Sequence, residues 1–341
     1  VNIALLRTLQ ARPDSFFWLE SLARNLQISP RRLNHDLHAL EEFGFGLEFQ
    51  PHRGVRYAGP APSLCVDQIE WELDTRLIGR RISVWQRTTS TNDLAARAAK
   101  TRSNDGLVVL AEEQTAGRGR LHRRWFAPPR TAILMSVLLF PPQSTRSVIL
   151  LTSLAAVAVA ELIIDTLHLP ARIKWPNDVR VSRKKVCGIL VEDIIRTTRR
   201  SASRRSAAQS SSRSARATVI GIGINVNIPS NAFPKQLDSP AASLMELCGR
   251  TLDRSELVRL LIQRLDHLYH SAIKGQTQRI WTAWHEHADL LGQMVQVNRA
   301  SDRLVGRLIA VRLPDFISLQ ESTGPILDIA ADQVVSISEV K

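Results

Sequence analysis

From Val148 to Ala160 the chain carries no charged residue, and the run ends at Glu161. That is too short to span a bilayer, which takes about 20 apolar residues. A helix apolar on every side has to be buried. The spacing therefore predicts a core helix over 148–167, with elements packed around it. A chain of 341 residues with 44% hydrophobic content has enough apolar surface for two or three domains and a sizeable core.

The flanking segments supply those elements. Short β-type runs at 82–86, 107–111, 133–140, 172–174, 189–194 and 218–224 alternate with helices at 93–100, 148–167, 254–274 and 280–287. They predict a central mixed α+β domain over 64–288. Ala58-Gly59-Pro60-Ala61-Pro62-Ser63 is linker chemistry and marks a boundary after a first domain, 1–60. Residues 290–341 turn to short β runs at 294–298, 304–311, 317–321 and 333–337, the spacing of a small SH3-like barrel.

Residues 1–60 order themselves as helix, helix, turn, helix, hairpin. Ser29 is an N-cap with Pro30 at the first helical position, and Gly44 ends the third helix. That helix places Leu33, Leu37 and Leu40 on one side and Arg31, Arg32, Asn34, His35 and His38 on the other. This is the pattern of a winged helix-turn-helix with its recognition helix, and those five residues are the candidate DNA contacts. A small helical protein-interaction module fits the same pattern. Bulk charge does not decide between them. The net charge is +13, but residues 1–60 hold seven Arg against six acids, whereas 196–217 hold seven Arg and no acid.

The segment 196–217 is low-complexity Arg, Ser and Ala, and it is expected to be a disordered insert between two strands. Cys65, Cys187 and Cys248 are few and scattered, which fits a reducing cytoplasm. No signal-peptide pattern, zinc-ligand spacing, Walker-type phosphate loop or Gly-x-Ser-x-Gly elbow is present.

Two stretches carry chemistry. Glu113-Gln114-Thr115-Ala116-Gly117-Arg118-Gly119-Arg120 offers backbone freedom and two planar cations suited to carboxylate or phosphate oxygens. By itself it also fits a solvated loop or a nucleic-acid contact. Lys174-Trp175-Pro176-Asn177-Asp178 is a strand entering a turn, with Pro176 holding Trp175 extended. Lys185 and Gly188 follow, and a glycine at 188 leaves room for a ligand against a sheet.

Taken with Ser90-Thr91-Asn92 and Gly221-Ile222-Gly223-Ile224-Asn225, these stretches resemble the biotin–protein ligase family, specifically its bifunctional ligase/repressor branch. The resemblance implies a class II aminoacyl-tRNA synthetase-like core. It implies two steps: biotin and ATP give biotinyl-5′-AMP, and a lysine of the biotin carboxyl carrier protein of acetyl-CoA carboxylase then takes the biotin. On this resemblance Arg118, Arg120, Lys185 and Asp178 are the catalytic candidates, Asp178 also for Mg²⁺. Ser90, Thr91, Asn92, Gln114, Gly119 and Gly188 join Arg118, Arg120 and Lys185 around biotin. Lys174, Trp175, Asn177, Asn225 and Phe233 lie around the adenylate. Ser90-Thr91-Asn92 also fits a simple helix cap, and Phe233 a surface aromatic. Operator DNA, and a second copy of the chain when the adenylate is bound, are the further partners implied. The alternatives are a biotin-sensing repressor without ligase activity and a lipoate–protein ligase.

Overall fold

The computed structural model describes residues 1–195, 216–237, 239–321 and 324–340. Helices α1 (Ile3–Gln10), α2 (Leu19–Asn25) and α3 (Pro30–Phe43) are followed by an antiparallel hairpin, β1 (Gly46–Gln50) and β2 (Gly54–Gly59). Ser29 Oγ accepts from Arg32 N, and Gly44 closes α3 with a φ of 108°. These elements enclose their own core of Leu5, Leu6, Leu9, Leu22, Leu33, Leu37, Leu40 and Val55. The apolar side of α3 is buried, while Arg31, Arg32, Asn34, His35 and His38 are exposed. One inward polar residue was not anticipated. Asp36 is buried, accepts from Asn2 and pairs with Arg32, so Arg32 divides its charge between the fold and solvent.

After the linker come α4 (Val66–Glu70), β3 (Ile82–Trp85), α5 (Thr91–Ala98), β4 (Val108–Ala111), β5 (Ala132–Leu139), α6 (Val148–Leu167), β6 (Ala171–Lys174), β7 (Asp178–Val181), β8 (Lys184–Ile195) and β9 (Arg216–Asn225). The seven strands form one sheet in the order β3-β4-β5-β9-β8-β7-β6, parallel only between β3 and β4. Helices α7 (Leu244–Cys248), α8 (Arg254–Ile273) and α9 (Gln278–Glu286) complete this part. The expected insert, 196–217, runs two residues too far at its C-terminal end. Arg216 and Ala217 belong to β9, paired with Ile195 and Ile194, and Ala217 is fully buried. Residues 196–215, on which the rest of that expectation falls, lie outside the described residues.

The run that opened the sequence argument is α6. It has the length and apolarity of a membrane-crossing helix. Here it packs against α8, α9, β6 and β8. It covers one face of the sheet, over Val108, Leu110, Met135, Val137, Ile220 and Ile222. Helix α5 covers part of the opposite face, over Val109, Leu138 and Val219. Strands bring alternate residues to opposite faces, so Leu134, Ser136, Gly188, Leu190, Glu192, Gly221 and Gly223 share the α5 face. Register sets Ser136 opposite Gly221, and Gly223 between Leu134 and Gly188.

Strands β10 (Met294–Arg299), β11 (Arg303–Arg312), β12 (Phe316–Gln320), β13 (Ile326–Ala330) and β14 (Val334–Glu339) form a second sheet, antiparallel throughout, in the order β13-β12-β11-β10-β14. Strand β13 was absent from the sequence expectation. The second sheet is bolted to the central part through β14. Trp175 Nε1 donates to Val334 O (3.1 Å), and buried Arg180 meets Asp289 (3.3 Å) and Glu339 (3.6 Å).

Candidate active site

A cavity of about 250 Å³ lies on the α5 face of the large sheet. Its floor is open because glycines occupy three facing positions. A Cβ on Gly221 would sit 2.4 Å from Asn92 Oδ1, and one on Gly223 or Gly188 would strike the Trp125 ring at 2.5 or 2.8 Å. At these three positions the neighbouring side chains use the space that a side chain would fill.

One end of the cavity is polar, uncharged and buried. Ser90 occupies the N-cap position of α5 without making a cap hydrogen bond, which corrects the simple-cap reading. Thr91 and Asn92, in the first turn, turn their side chains into the site instead. Thr91 N donates to Gln114 Oε1 (2.7 Å), and Ser136 Oγ lies 2.7 Å from Thr91 Oγ1 and 2.5 Å from Asn92 Oδ1. Asn92 Nδ2 donates to Glu192 Oε2 (2.6 Å), which fixes the amide orientation and leaves Oδ1 as the acceptor for Ser136.

The other end is cationic. Lys185 Nζ is 2.6 Å from Asp178 Oδ1 and 5.7 Å from the centre of the Trp125 ring. Lys174 and Arg120 are half-buried, and burial pushes both below their ordinary pKa, although the Asp178 carboxylate opposes the shift for each. Lys185, Lys174 and Arg120 gather near Asp178, and cations brought to one end of a cavity favour an anion there. Leu134, Leu190 and Trp125 add apolar surface to the lining.

The Gly-Arg stretch forms an arm along the cavity. Gly119 N donates to Arg123 O (2.7 Å) and Trp125 N to Gly117 O (2.9 Å), making a narrow hairpin with Leu121 at a φ of 54°. Arg118 reaches the first turn of α5. Its guanidinium makes two hydrogen bonds to Asp93, which hold the Asp93 carboxyl below the usual carboxylate range.

Comparison with known proteins accords with this geometry. Residues 84–203 match the model of the biotin/lipoate A/B protein ligase family. A biotin–[acetyl-CoA-carboxylase] ligase of Mycobacterium tuberculosis is 34% identical over 207 residues, covering 58% of this chain and 69% of the relative. The chain belongs to the biotin/lipoate A/B protein ligase family. Bifunctional ligase/repressor BirA of Bacillus subtilis is 27% identical over 288 residues, 84% of each chain. In fold, this ligase-family chain is similar to the biotin protein ligase from Aquifex aeolicus solved with biotin and ATP, with a TM-score of 0.63 and 23% identity over 76% of this chain and all of that one.

The ligase fold brings every expected ligand residue to one cavity: Ser90, Thr91, Asn92, Gln114, Arg118, Gly119, Arg120, Lys174, Trp175, Asn177, Asp178, Lys185, Gly188, Asn225 and Phe233 all line it. Some of them are held by the fold itself. Asn177 Nδ2 donates to Ile189 O (2.7 Å), and Asn225 Nδ2 donates to Ala242 O (3.2 Å). Asn225 is buried, and through Ala242 it secures the end of the loop that carries Phe233. Phe233 is half-buried and packs with Trp125 around Ala132, Leu134 and Ile228, so it is a wall of the site and not a free surface aromatic. Cys187 is fully buried, and burial raises its thiol pKa, so it packs as an apolar side chain.

Four contributions escaped sequence reasoning. Ser136 is the polar residue of an otherwise apolar strand, a faint signal. Glu192 and Asp93 adjoin the motifs but have no spacing of their own. Val335, Ser336 and Ile337 of β14 reach the cavity from the far end of the chain, and nothing in the sequence links them to it. Trp125, at the far end of the arm, has a buried indole N–H without a protein partner among the described residues. A buried orphan donor is a ready contact for a ligand oxygen.

Proposed function

We propose that this chain is an ATP-dependent biotin–protein ligase. The observation that carries the reading is the two-ended cavity. Biotin has an uncharged ureido head, an apolar chain and a carboxylate, and the site offers Thr91, Asn92, Ser136 and Gln114 at one end and Lys185, Arg120 and Lys174 at the other. The carboxylate oxygen attacks the α-phosphorus of ATP, and pyrophosphate leaves. A lysine amine of the biotin carboxyl carrier protein then attacks the resulting anhydride, and AMP leaves. The first step brings two anions together, and preorganised cations in a site closed to water offset that repulsion. Asp178 is the carboxylate that would hold Mg²⁺, which usually takes one or two carboxylates plus substrate phosphates. Among the described residues no cluster of three or more His, Cys, Asp or Glu side chains has metal-site geometry. That agrees with an ion held largely by the nucleotide.

The same head pocket disfavours lipoate. A dithiolane ring has no hydrogen-bonding groups to add to the network of Ser136, Thr91 and Asn92, whereas a ureido group can both donate to it and accept from it. Incubation with Mg-ATP, biotin and purified carrier protein, read as the mass increase of the carrier, tests the reading. Carrier left unmodified by biotin but modified by lipoate reverses the assignment.

A second reading is carried by α3, whose polar side is exposed beside the β1–β2 hairpin. We propose that residues 1–60 form a winged helix-turn-helix and that the chain also represses transcription in response to biotin. The bifunctional name of the Bacillus subtilis relative supports this. The five strands at the C-terminal end are then an SH3-like barrel. Substituting Arg31 and His35 together by Ala should leave carrier biotinylation intact and abolish binding to the chain's operator, measured by mobility shift. Unchanged operator binding excludes α3 as the reading helix.

A further inference from the structure

The two-bonded pair with Asp93 ties Arg118, one of the expected catalytic cations, to the first turn of α5. Arg118 Nη2 lies 2.7 Å from Asp93 Oδ1 and Nη1 3.1 Å from Oδ2, and Nη2 is also 3.6 Å from Glu192 Oε2. Asp93 is on the first turn of α5, next to Thr91 and Asn92 of the head pocket. Glu192 Oε2 is the same oxygen that accepts from Asn92 Nδ2 at 2.6 Å. The tether and the head pocket are therefore joined through one carboxylate.

The arm is held at its base by backbone bonds from Thr115 N to Thr88 O and from Ala116 N to Thr89 O, 2.9 Å each. Beyond Gly117, Arg118 gives the arm a charged attachment, and Trp125, lying over Gly188 and Gly223, an apolar one. Arg120, further out on the arm, is the half-buried cation that feels Asp178. The two arginines of the Gly-Arg repeat thus divide the work.

We propose that Asp93 is a positioning residue for adenylation. By holding Arg118 it keeps the arm from Gly117 to Trp125 closed over bound biotin and its adenylate, with Glu192 tying that closure to the head pocket. This rests on the biotin-ligase reading of the cavity. The side chains of Arg118 and Asp93 are 40% and 34% exposed, so the pair adds little to the stability of the fold. Its effect falls on the arm that carries Arg118.

The test uses the full chain with Asp93→Asn, which keeps the size of the side chain and removes its charge. KM for biotin should rise about fivefold and biotinyl-5′-AMP should dissociate about fivefold faster, the scale of a partly exposed charged pair. The first-turnover rate of pyrophosphate release at saturating biotin should stay within about twofold, and Tm should not move. Asp93→Glu should recover most of the loss. Asp93→Arg combined with Arg118→Asp should hold the adenylate longer than either single change. Overturning results are an unchanged KM and adenylate lifetime, or a fall in the pyrophosphate rate with KM unchanged. If the unaltered protein forms no adenylate, it is the ligase reading that fails. The tether is then read without ligand, as trypsin cleavage within the arm: faster cleavage in Asp93→Asn supports it, and equal rates discard it.

Discussion

Lys185 stands where the two reactants of the first step would meet. Its ammonium is 2.6 Å from Asp178 and faces the Trp125 ring, so its position is fixed before any ligand arrives. A preorganised cation of this kind acts mainly on the transition state, where negative charge gathers at the transferred phosphorus. Lys185→Ala should therefore slow adenylate formation by a factor of about 10²–10³, or about 2.7–4 kcal/mol. Pyrophosphate release under saturating biotin and ATP is the measurement, and a loss below about threefold, roughly 0.65 kcal/mol, removes Lys185 from the chemistry. At this scale legibility followed contiguity. Thr91, Asn92, Gln114 and Lys185 sit in short motifs whose neighbours confine their meaning. Ser136 makes two of the closest contacts in the head pocket, yet it is a single hydroxyl in a strand. Only the sheet register, which sets it opposite Gly221, gives it a role. Arg118 was legible as a ligand-loop cation but not as a tether, because its partner Asp93 is 25 residues away in sequence.

Among the elements, α8 joins more of the molecule than its sequence suggests. Its first residue, Arg254, is 2% exposed and pairs with Glu112, also 2% exposed, at 2.7 Å. Arg254 also donates to Ala132 O (2.9 Å) and to the linker carbonyl of Pro62, while Glu112 accepts from Leu64 N (2.6 Å). The linker is thus fastened to the root of the arm and to the start of β5 by one buried ion pair. Breaking such a pair by removing one partner leaves a buried charge alone. Arg254→Met should destabilise the chain by about 3–5 kcal/mol in chemical denaturation, and Glu112→Gln added to it should return part of that loss. An effect below about 1 kcal/mol shows that water or another cation reaches Glu112. The helices themselves were largely legible, because caps mark them: Ser29 and Gly44 bound α3, Ser147 caps α6, and Asp253 caps α8. The buried pair was not legible. Its members are 142 residues apart, and a charged residue at a helix start reads as a solvated one.

The whole molecule is held together across the same helix end. Gln10 of α1 and Gln68 of α4 both donate to Asp253, at 3.1 and 2.6 Å, and Arg7 pairs with Glu256 one turn further on. The N-terminal helices therefore rest on the helix whose first residue anchors the root of the ligand arm, a continuous path between the exposed face of α3 and the cavity. Glu256 makes this contact sensitive to acid. Burial raises its pKa, but the hydrogen bonds from Arg259 and Arg7 outweigh burial and bring it below the ordinary 4.5. A carboxylate whose folded value lies below its unfolded value contributes stability above the unfolded value and loses it as pH falls through the folded one. Lowering the pH from 7 to below about 4 should therefore loosen α1 from α8. In hydrogen exchange, the amides of Ile3–Gln10 should gain exchange relative to those of α6, which has no charged group at this contact. Glu256→Gln should show the loosened state already at neutral pH and no acid step. If α1 and α6 lose protection together in the unaltered chain, or if Glu256→Gln keeps the acid step, the N-terminal elements are held by their apolar core and not by this ion pair.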